Sequence, residues 1–213
     1  MENLVDRTLD EYLGLLASAT PTPGGGSASA LAGAQGAALG AMVARASLGK
    51  KSCADYAELL TEVCTQLRDL TAELTLDVDR DADAYSALAA AMKLPRDSAE
   101  QLEARKEHIR RARLAAAEPP LSVLAKCADA LLLIERLIGK SSASAVSDLG
   151  AGAALLRASA QGSWLNVLAD LAGAGDAQRA DEMTARARTL YKEALRRADT
   201  VLERVEEACA QNK

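Results

Sequence analysis

The sequence predicts an all-α protein, a bundle of long helices, and two observations carry that prediction. Alanine and leucine dominate while aromatic residues make up only 2% and Phe is absent, which removes the large rings and β-branched runs from which a sandwich core is built. Apolar residues also recur at three- and four-residue steps over long stretches, the period of one helix face. The chain has 213 residues, enough to bury a substantial core. Its breaks are short turns with no linker, composition shift or internal repeat, so residues 1–213 read as one domain. A core of Ala, Leu, Val and Met requires helices at close approach, and long Ala/Leu faces predict that some apolar surface is buried between two subunits of a homodimer.

In chain order, residues 6–17 are amphipathic through Leu9, Leu13 and Leu16 and predict a short first helix. A breaker cluster from Ser18 to Ser27 follows. Residues 27–47 then form a small-residue helix whose Gly33, Gly36 and Gly40 cost helix propensity but let another backbone lie against it. Its apolar stretch, residues 28–44, is interrupted by Gln35 and falls short of a membrane span. A long helix over residues 54–94 has a stripe of Leu60, Val63, Leu67, Leu70, Leu74, Val78, Tyr85, Leu88 and Met92, and Pro95 stops it. Ser98 with Gln101 predicts a capping box for a helix to residue 117, and Pro119-Pro120 separates it from a helix over 121–138. A polar segment, 139–147, precedes a helix over 148–171. After the turn at 173–176 comes a final helix to residue 209, with Met183, Leu190, Val201 and Val205 on its buried face. About five or six helices of this kind pack as an orthogonal or up-and-down bundle.

Composition demotes several functions. The net charge is −5 and the basic residues are scattered, so no stripe for nucleic acid exists. Four cysteines without C-x-x-C spacing and a single histidine, His108, argue against a metal site and for reduced, isolated thiols. His108 lies among Arg and Lys on an exposed helix, so neither a Ser-His-Asp nor a Cys-His arrangement can be built on it. The first residues lack a basic start followed by an apolar run, and the expected location is the cytoplasm.

Three features can carry chemistry. The triple glycine, Gly24 to Gly26, is neither a phosphate loop, since no Lys follows, nor a dinucleotide fingerprint, since position 29 is Ser29. It still feeds a helix N-terminus, whose free N–H groups and partial positive charge suit a carboxylate or ring oxygen. The plainer alternative is a tight interhelical turn with Ser27 as N-cap. On the long helix, Asp81 falls inside the apolar stripe when the sequence is projected at about 100° per residue. A carboxylate there is costly unless paired, protonated or functional, and burial would raise its pKa towards general acid–base use; a bond to a neighbouring helix is the plainer reading. Asp79 points about 200° away, and Asp77, Asp79 and Asp83 read as a solvated acidic face. Lys93 suits the C-terminal end of its helix dipole, Asp148 can cap the helix it opens, and Asn166 in mid-helix needs a partner.

These segments together resemble a known family. Leu16-Ala17-Ser18, then Pro21-Thr22-Pro23-Gly24-Gly25-Gly26-Ser27 and the Ala-Leu-Ala-Gly run, are followed by Asp79-Arg80-Asp81-Ala82-Asp83-Ala84-Tyr85 and Lys93-Leu94-Pro95. Pro120-Leu121, Ser147-Asp148-Leu149 and Gln161-Gly162-Ser163-Trp164-Leu165-Asn166-Val167 complete the series. In this order they are similar to the formiminotetrahydrofolate cyclodeaminases and methenyltetrahydrofolate cyclohydrolases. The resemblance implies a helical homodimer that binds a tetrahydrofolate without metal, nucleotide or other cofactor. It implies Asp81 as the catalytic group, with Pro23, Gly24, Gly25, Gly26, Ser27, Lys93, Asp148 and Asn166 as substrate-binding residues. It implies hydrolysis of 5,10-methenyltetrahydrofolate to 10-formyltetrahydrofolate, or cyclodeamination of 5-formiminotetrahydrofolate with release of ammonia. A non-catalytic helical dimer is the reading from another class. Two positions depart from the pattern: Lys140 and Asp170 stand where the family often has Asn. The chain carries no counterpart of the formiminotransferase domain fused to the animal enzyme, so a cyclodeaminase partner is expected to act separately.

Overall fold

A computed structural model describes residues 3–211. Among them are seven α-helices and no strand: α1 (Leu9–Leu16), α2 (Gly25–Ser47), α3 (Ala57–Met92), α4 (Ala99–Ala116), α5 (Glu118–Leu137), α6 (Val146–Leu171) and α7 (Ala177–Gln211). Short 3₁₀ turns occupy Leu4–Asp6, Lys51–Tyr56 and Ala143–Ala145. Helix α2 runs through the middle, packed on α3, α6 and α5, while α7 covers α5 and α6.

The central position of α2 follows from its side chains, or their absence. Its buried face is Ala30, Gly33, Ala34, Gly36, Ala37, Gly40, Ala41, Val43 and Ala44. A Cβ at Gly36 would stand 2.7 Å from the Gly152 carbonyl oxygen of α6, so the two backbones touch there. The helix is longer than the sequence reading allowed. It passes for a membrane span by length and composition (mean hydropathy 1.2), but 61% of that stretch is buried inside the bundle. It is a core helix. The surrounding leucines, among them Leu60, Leu67, Leu74, Leu124, Leu131, Leu149 and Leu156, fill the layers on either side.

Polar contacts in the interior are few and tie three helices together. Ser159 of α6 donates to the Ser29 carbonyl oxygen of α2 at 2.6 Å, and the Cys127 thiol of α5 lies 3.2 Å from Ser159 Oγ. Complete burial pushes that thiol up to about 12, so it is inert at neutral pH. Among the described residues all four cysteines are free, and only Cys209 is exposed.

Several local expectations are corrected. The chain does break between two helices at Pro119-Pro120, but both prolines sit inside the first turn of α5, where missing N–H groups cost nothing, so that helix begins at Glu118 and not at Leu121. Ser98 Oγ does accept from the Gln101 N–H, but the Gln101 side chain reaches back to the Asp97 N–H, one residue before the cap. Asp148 is in the first turn of α6 and the N-cap is Ala145, so Asp148 favours the dipole without capping. Asp77 is not on a solvated face: it is 1% exposed, 2.6 Å from Lys126 Nζ of α5 and 2.9 Å from Arg80 Nη1. The misplacement arises because α5 brings a cation to a face that the α3 sequence alone makes look wet. Asp79 is half-buried and accepts from the Leu4 N–H; Asp83 is exposed as expected. Tyr85 and Met92, assigned to the buried stripe, are 45% and 41% exposed: Tyr85 lines an open cavity and Met92 is the last residue of α3.

Two outcomes test this packing. Gly36→Ala forces a methyl against backbone, and overpacking of that kind costs about 1–3 kcal/mol; a urea unfolding curve matching the wild type would refute the close approach. Asp77→Ala leaves Lys126 without its buried partner and is expected to cost about 3 kcal/mol, read from the same curves.

Candidate active site

The breaker segment ends in a cis Thr22–Pro23 peptide, and α2 begins directly after it with Gly24 as N-cap. Gly24 has no side chain to accept from the first N–H groups of the helix, so those donors must find a partner elsewhere. Asp81 of α3 is that partner. Its carboxylate accepts from the Ser27 N–H, and Ser27 Oγ lies 3.2 Å from Asp81 Oδ2 and 2.9 Å from the Val78 carbonyl oxygen. Ser27 is thus the third residue of the helix and fully buried, a link between α2 and α3 and not the N-cap. A Cβ at Gly26 would overlap the Asp81 carboxylate, so only glycine lets the acid reach the helix end.

Beyond this contact lies a cavity of about 180 Å³ lined by Pro21, Thr22, Gly24, Gly25, Gly26, Asp81, Tyr85, Ala116, Asn166 and Asp170. Four of its walls come in pairs. Asp81 and Tyr85 are four residues apart on α3; Asn166 and Asp170 are four apart on α6; each pair shares one helix face. Asn166 finds the partner its position demanded: its Nδ2 donates to the Gly162 carbonyl oxygen at 2.8 Å, and its amide packs over Gly25.

The electrostatics are set by two carboxyls in a confined space. Burial raises Asp81 above the ordinary aspartate range, while the bonds from Ser27 pull the other way by favouring the anion. Asp170 has no such bonds. Burial first, and then the charge on Asp81, lift it to about 6, with Arg113 of α4 opposing. Tyr12 of α1 is buried, its hydroxyl without a hydrogen-bond partner among the described residues, and desolvation together with Asp81 raises its pKa. Among the described residues no Lys, Arg or His lines the cavity. Among the described residues no cluster of His, Cys, Asp or Glu has the makings of a metal site.

The sequence-derived candidates therefore divide. Gly24, Gly25, Gly26, Asp81 and Asn166 converge on the cavity, with Ser27 bonded behind Asp81 and Pro23 buried under the loop. Lys93 does not join them. It is the exposed C-cap of α3, about 18 Å along the helix from Asp81. Asp148 lies at the other end of α6, about 27 Å from Asn166, near the segment that carries Lys140. Pro21, Thr22, Tyr85, Ala116 and Asp170 were not predicted as site residues. The i, i+4 spacing of Asp170 from Asn166 was the signal that could have found it. A larger groove of about 560 Å³ between α2 and α3, lined mainly by Ala38, Ala41, Met42, Cys64 and Arg68, is mostly apolar and has no carboxylate or imidazole among its described lining residues.

Because the folded-state pKa of Asp170 lies above its unfolded value of 3.8, the folded chain holds a proton that the unfolded chain releases. Stability is therefore lost as pH rises from about 4 to 6. Asp170→Asn should melt higher than the wild type at pH 7, with the gap closing towards pH 4; a gap constant with pH would contradict the burial of this carboxyl.

Comparison with known proteins agrees with the architecture. A family model described as formiminotransferase-cyclodeaminase matches residues 8–189. The methenyltetrahydrofolate cyclohydrolase of Methylorubrum extorquens is 33% identical over 177 residues, covering 83% of this chain and 85% of that protein. The formimidoyltransferase-cyclodeaminase of Gallus gallus is 30% identical over 201 residues, covering 94% of this chain but 37% of the longer relative. The crystal structure of formiminotetrahydrofolate cyclodeaminase from Thermotoga maritima superposes with a TM-score of 0.79 at 24% identity, over 92% of this chain and 96% of that one, and shows the same fold. The matched span runs from the first turn of α1 into α7 and so includes every wall of the acidic cavity: the chain belongs to the formiminotransferase-cyclodeaminase family.

Proposed function

We propose that this chain is a methenyltetrahydrofolate cyclohydrolase, converting 5,10-methenyltetrahydrofolate and water to 10-formyltetrahydrofolate. The observation that carries this reading is the cavity's charge. Two carboxyls face one small space with no basic side chain among its described walls, an arrangement that attracts a cation. The amidinium bridge of methenyltetrahydrofolate is such a cation, and its carbon is the electrophile. The similarity to the Methylorubrum cyclohydrolase over most of both chains supports the same assignment.

In this reading Asp81 is the base. Water attacks the amidinium carbon, Asp81 takes the proton, and one C–N bond of the tetrahedral adduct then breaks. Ser27 holds the carboxylate in place, and Gly24 to Gly26 leave room for the bicyclic ring system. A cavity of about 180 Å³ is below the ~300–1,000 Å³ that engulfs a drug-sized ligand, so the glutamate tail lies outside it. No cofactor or metal is called for, since the electrophile is already charged. The second reading is cyclodeamination of 5-formiminotetrahydrofolate, whose amidine is also cationic; the names of the Gallus and Thermotoga relatives favour it.

We also propose a single-domain cytoplasmic homodimer. Its support is the exposed apolar surface: Leu76 of α3, Leu132 of α5, and Leu165 and Leu168 of α6 are all well exposed, and Met42 flanks the apolar groove on α2. Four free thiols fit a reducing compartment.

The test is a near-ultraviolet assay with both folates, in which loss of methenyltetrahydrofolate reads the hydrolase and its appearance reads the deaminase. Asp81→Asn should lower turnover roughly 10²–10⁴-fold with circular dichroism and subunit mass unchanged. Turnover of neither folate by the wild type would leave the non-catalytic dimer. Undiminished turnover by the variant would remove Asp81 from the mechanism.

A further inference from the structure

Opening a tetrahedral adduct poses two proton problems, and Asp81 can answer only one. A base must take a proton from the attacking water, and an acid must supply one to the nitrogen that leaves. Burial raises Asp81 as well, but its bonds from the Ser27 N–H and hydroxyl favour its anionic form, as does the positive end of α2. The second carboxyl of the cavity is differently placed. Among the described residues Asp170 makes no hydrogen bond or ion pair; it shares the cavity wall with Asp81 and Tyr85 from α3, the glycines at the start of α2, Asn166 from its own helix and Ala116 from α4. The charged and titratable groups that act on it from the surrounding helices are Asp81 and, more weakly, Arg113, whose guanidinium is turned to the Ala172 carbonyl oxygen at 2.9 Å. Tyr12 lies on the Asp81 side.

Resting on the cyclohydrolase reading, we propose that Asp170 is the proton donor to the departing nitrogen, working across the cavity from Asp81. Two carboxyls confined together do not both ionise freely, and the one without hydrogen bonds keeps the proton. Asp170 is the member left protonated as neutral pH is approached from below, with a pKa of about 6.

The sequence of bonds is then complete. The water oxygen bonds to the amidinium carbon and its proton passes to Asp81. The C–N bond breaks with its electron pair going to nitrogen, which takes the carboxyl proton of Asp170. The carbinol hydroxyl becomes the formyl oxygen, and its proton restores Asp170; Asp81 releases its own to solvent. One water is consumed and one proton is produced. Under the deaminase reading the same donor would protonate departing ammonia.

The experiment is the pH dependence of kcat for the wild type, Asp170→Asn and Asp170→Glu, alongside carboxyl-carbon NMR of the ligand-free proteins labelled at aspartate. The wild type should lose kcat as pH rises above about 6, as a donor with that pKa deprotonates. Asp170→Asn should abolish that limb and lower kcat about a hundredfold at pH 6, with KM within a few-fold. Asp170→Glu should restore both the limb and part of the rate. By NMR one carboxyl should titrate near pH 6, vanish in Asp170→Asn and move down in Asp81→Asn. Wild-type turnover with an Asp170→Asn variant that keeps the rate and the limb overturns the donor role alone. Absence of wild-type turnover on either folate overturns the functional reading and the donor role together, and the NMR titration then reports only a structural carboxyl pair.

Discussion

Helix α2 has almost no side chains with which to hold its neighbours away, and the rest of the molecule is arranged around that fact. Where Gly36 meets Gly152, the backbones of α2 and α6 are in contact. On the other side Leu67, Leu74 and Val78 of α3 pack fully buried. Close approach of this kind gains dispersion contact along two whole helices, and it fixes their relative position to within the size of a methyl group. A helix so placed determines where its own N-terminus points. In this protein it points at Asp81.

That geometry makes the site a consequence of the packing. Gly24 leaves the α2 N-terminus uncapped, Gly26 opens a path, and a carboxylate from the neighbouring helix fills the vacancy. The same side chain thus serves the fold, as a cap supplied from a distance, and in the proposed reaction it would serve the chemistry, as an anion fixed at the wall of a cavity. The structural and catalytic readings of Asp81 are therefore not rivals. Ser27 is what joins them: its hydroxyl and N–H hold the carboxylate in one orientation, which a base needs in order to meet a bound water.

The two acids of the cavity differ by environment and not by type. Asp81 is bonded at a helix N-terminus; Asp170 is desolvated on α6 with no donor bonded to it. Placing a bonded and an unbonded carboxyl across one space separates their proton affinities, and a cationic substrate between them would feel both. Asp77 makes the contrast clear. It is more deeply buried than either, yet Lys126 and Arg80 bond both its oxygens, so it is a structural anion joining α3 to α5 and takes no part in the cavity.

The sequence alone determined the helical class, the position of nearly every helix, the glycine-led N-terminus of α2 and the candidacy of Asp81 and Asn166, because periodicity, breakers and a misplaced polar residue are local signals. It could not place charges that another helix decides. Asp77 looked solvated until α5 supplied Lys126, Tyr85 looked buried until the fold left it at the wall of an open cavity, and Asp170 gained its meaning only when α6 set it across from Asp81. Lys93 and Asp148 fitted the motif pattern, yet each sits well away from the cavity along its own helix. Sequence order records which residues are present, whereas the tertiary structure decides which of them share a dielectric environment, and the chemistry of a carboxyl is set by that environment.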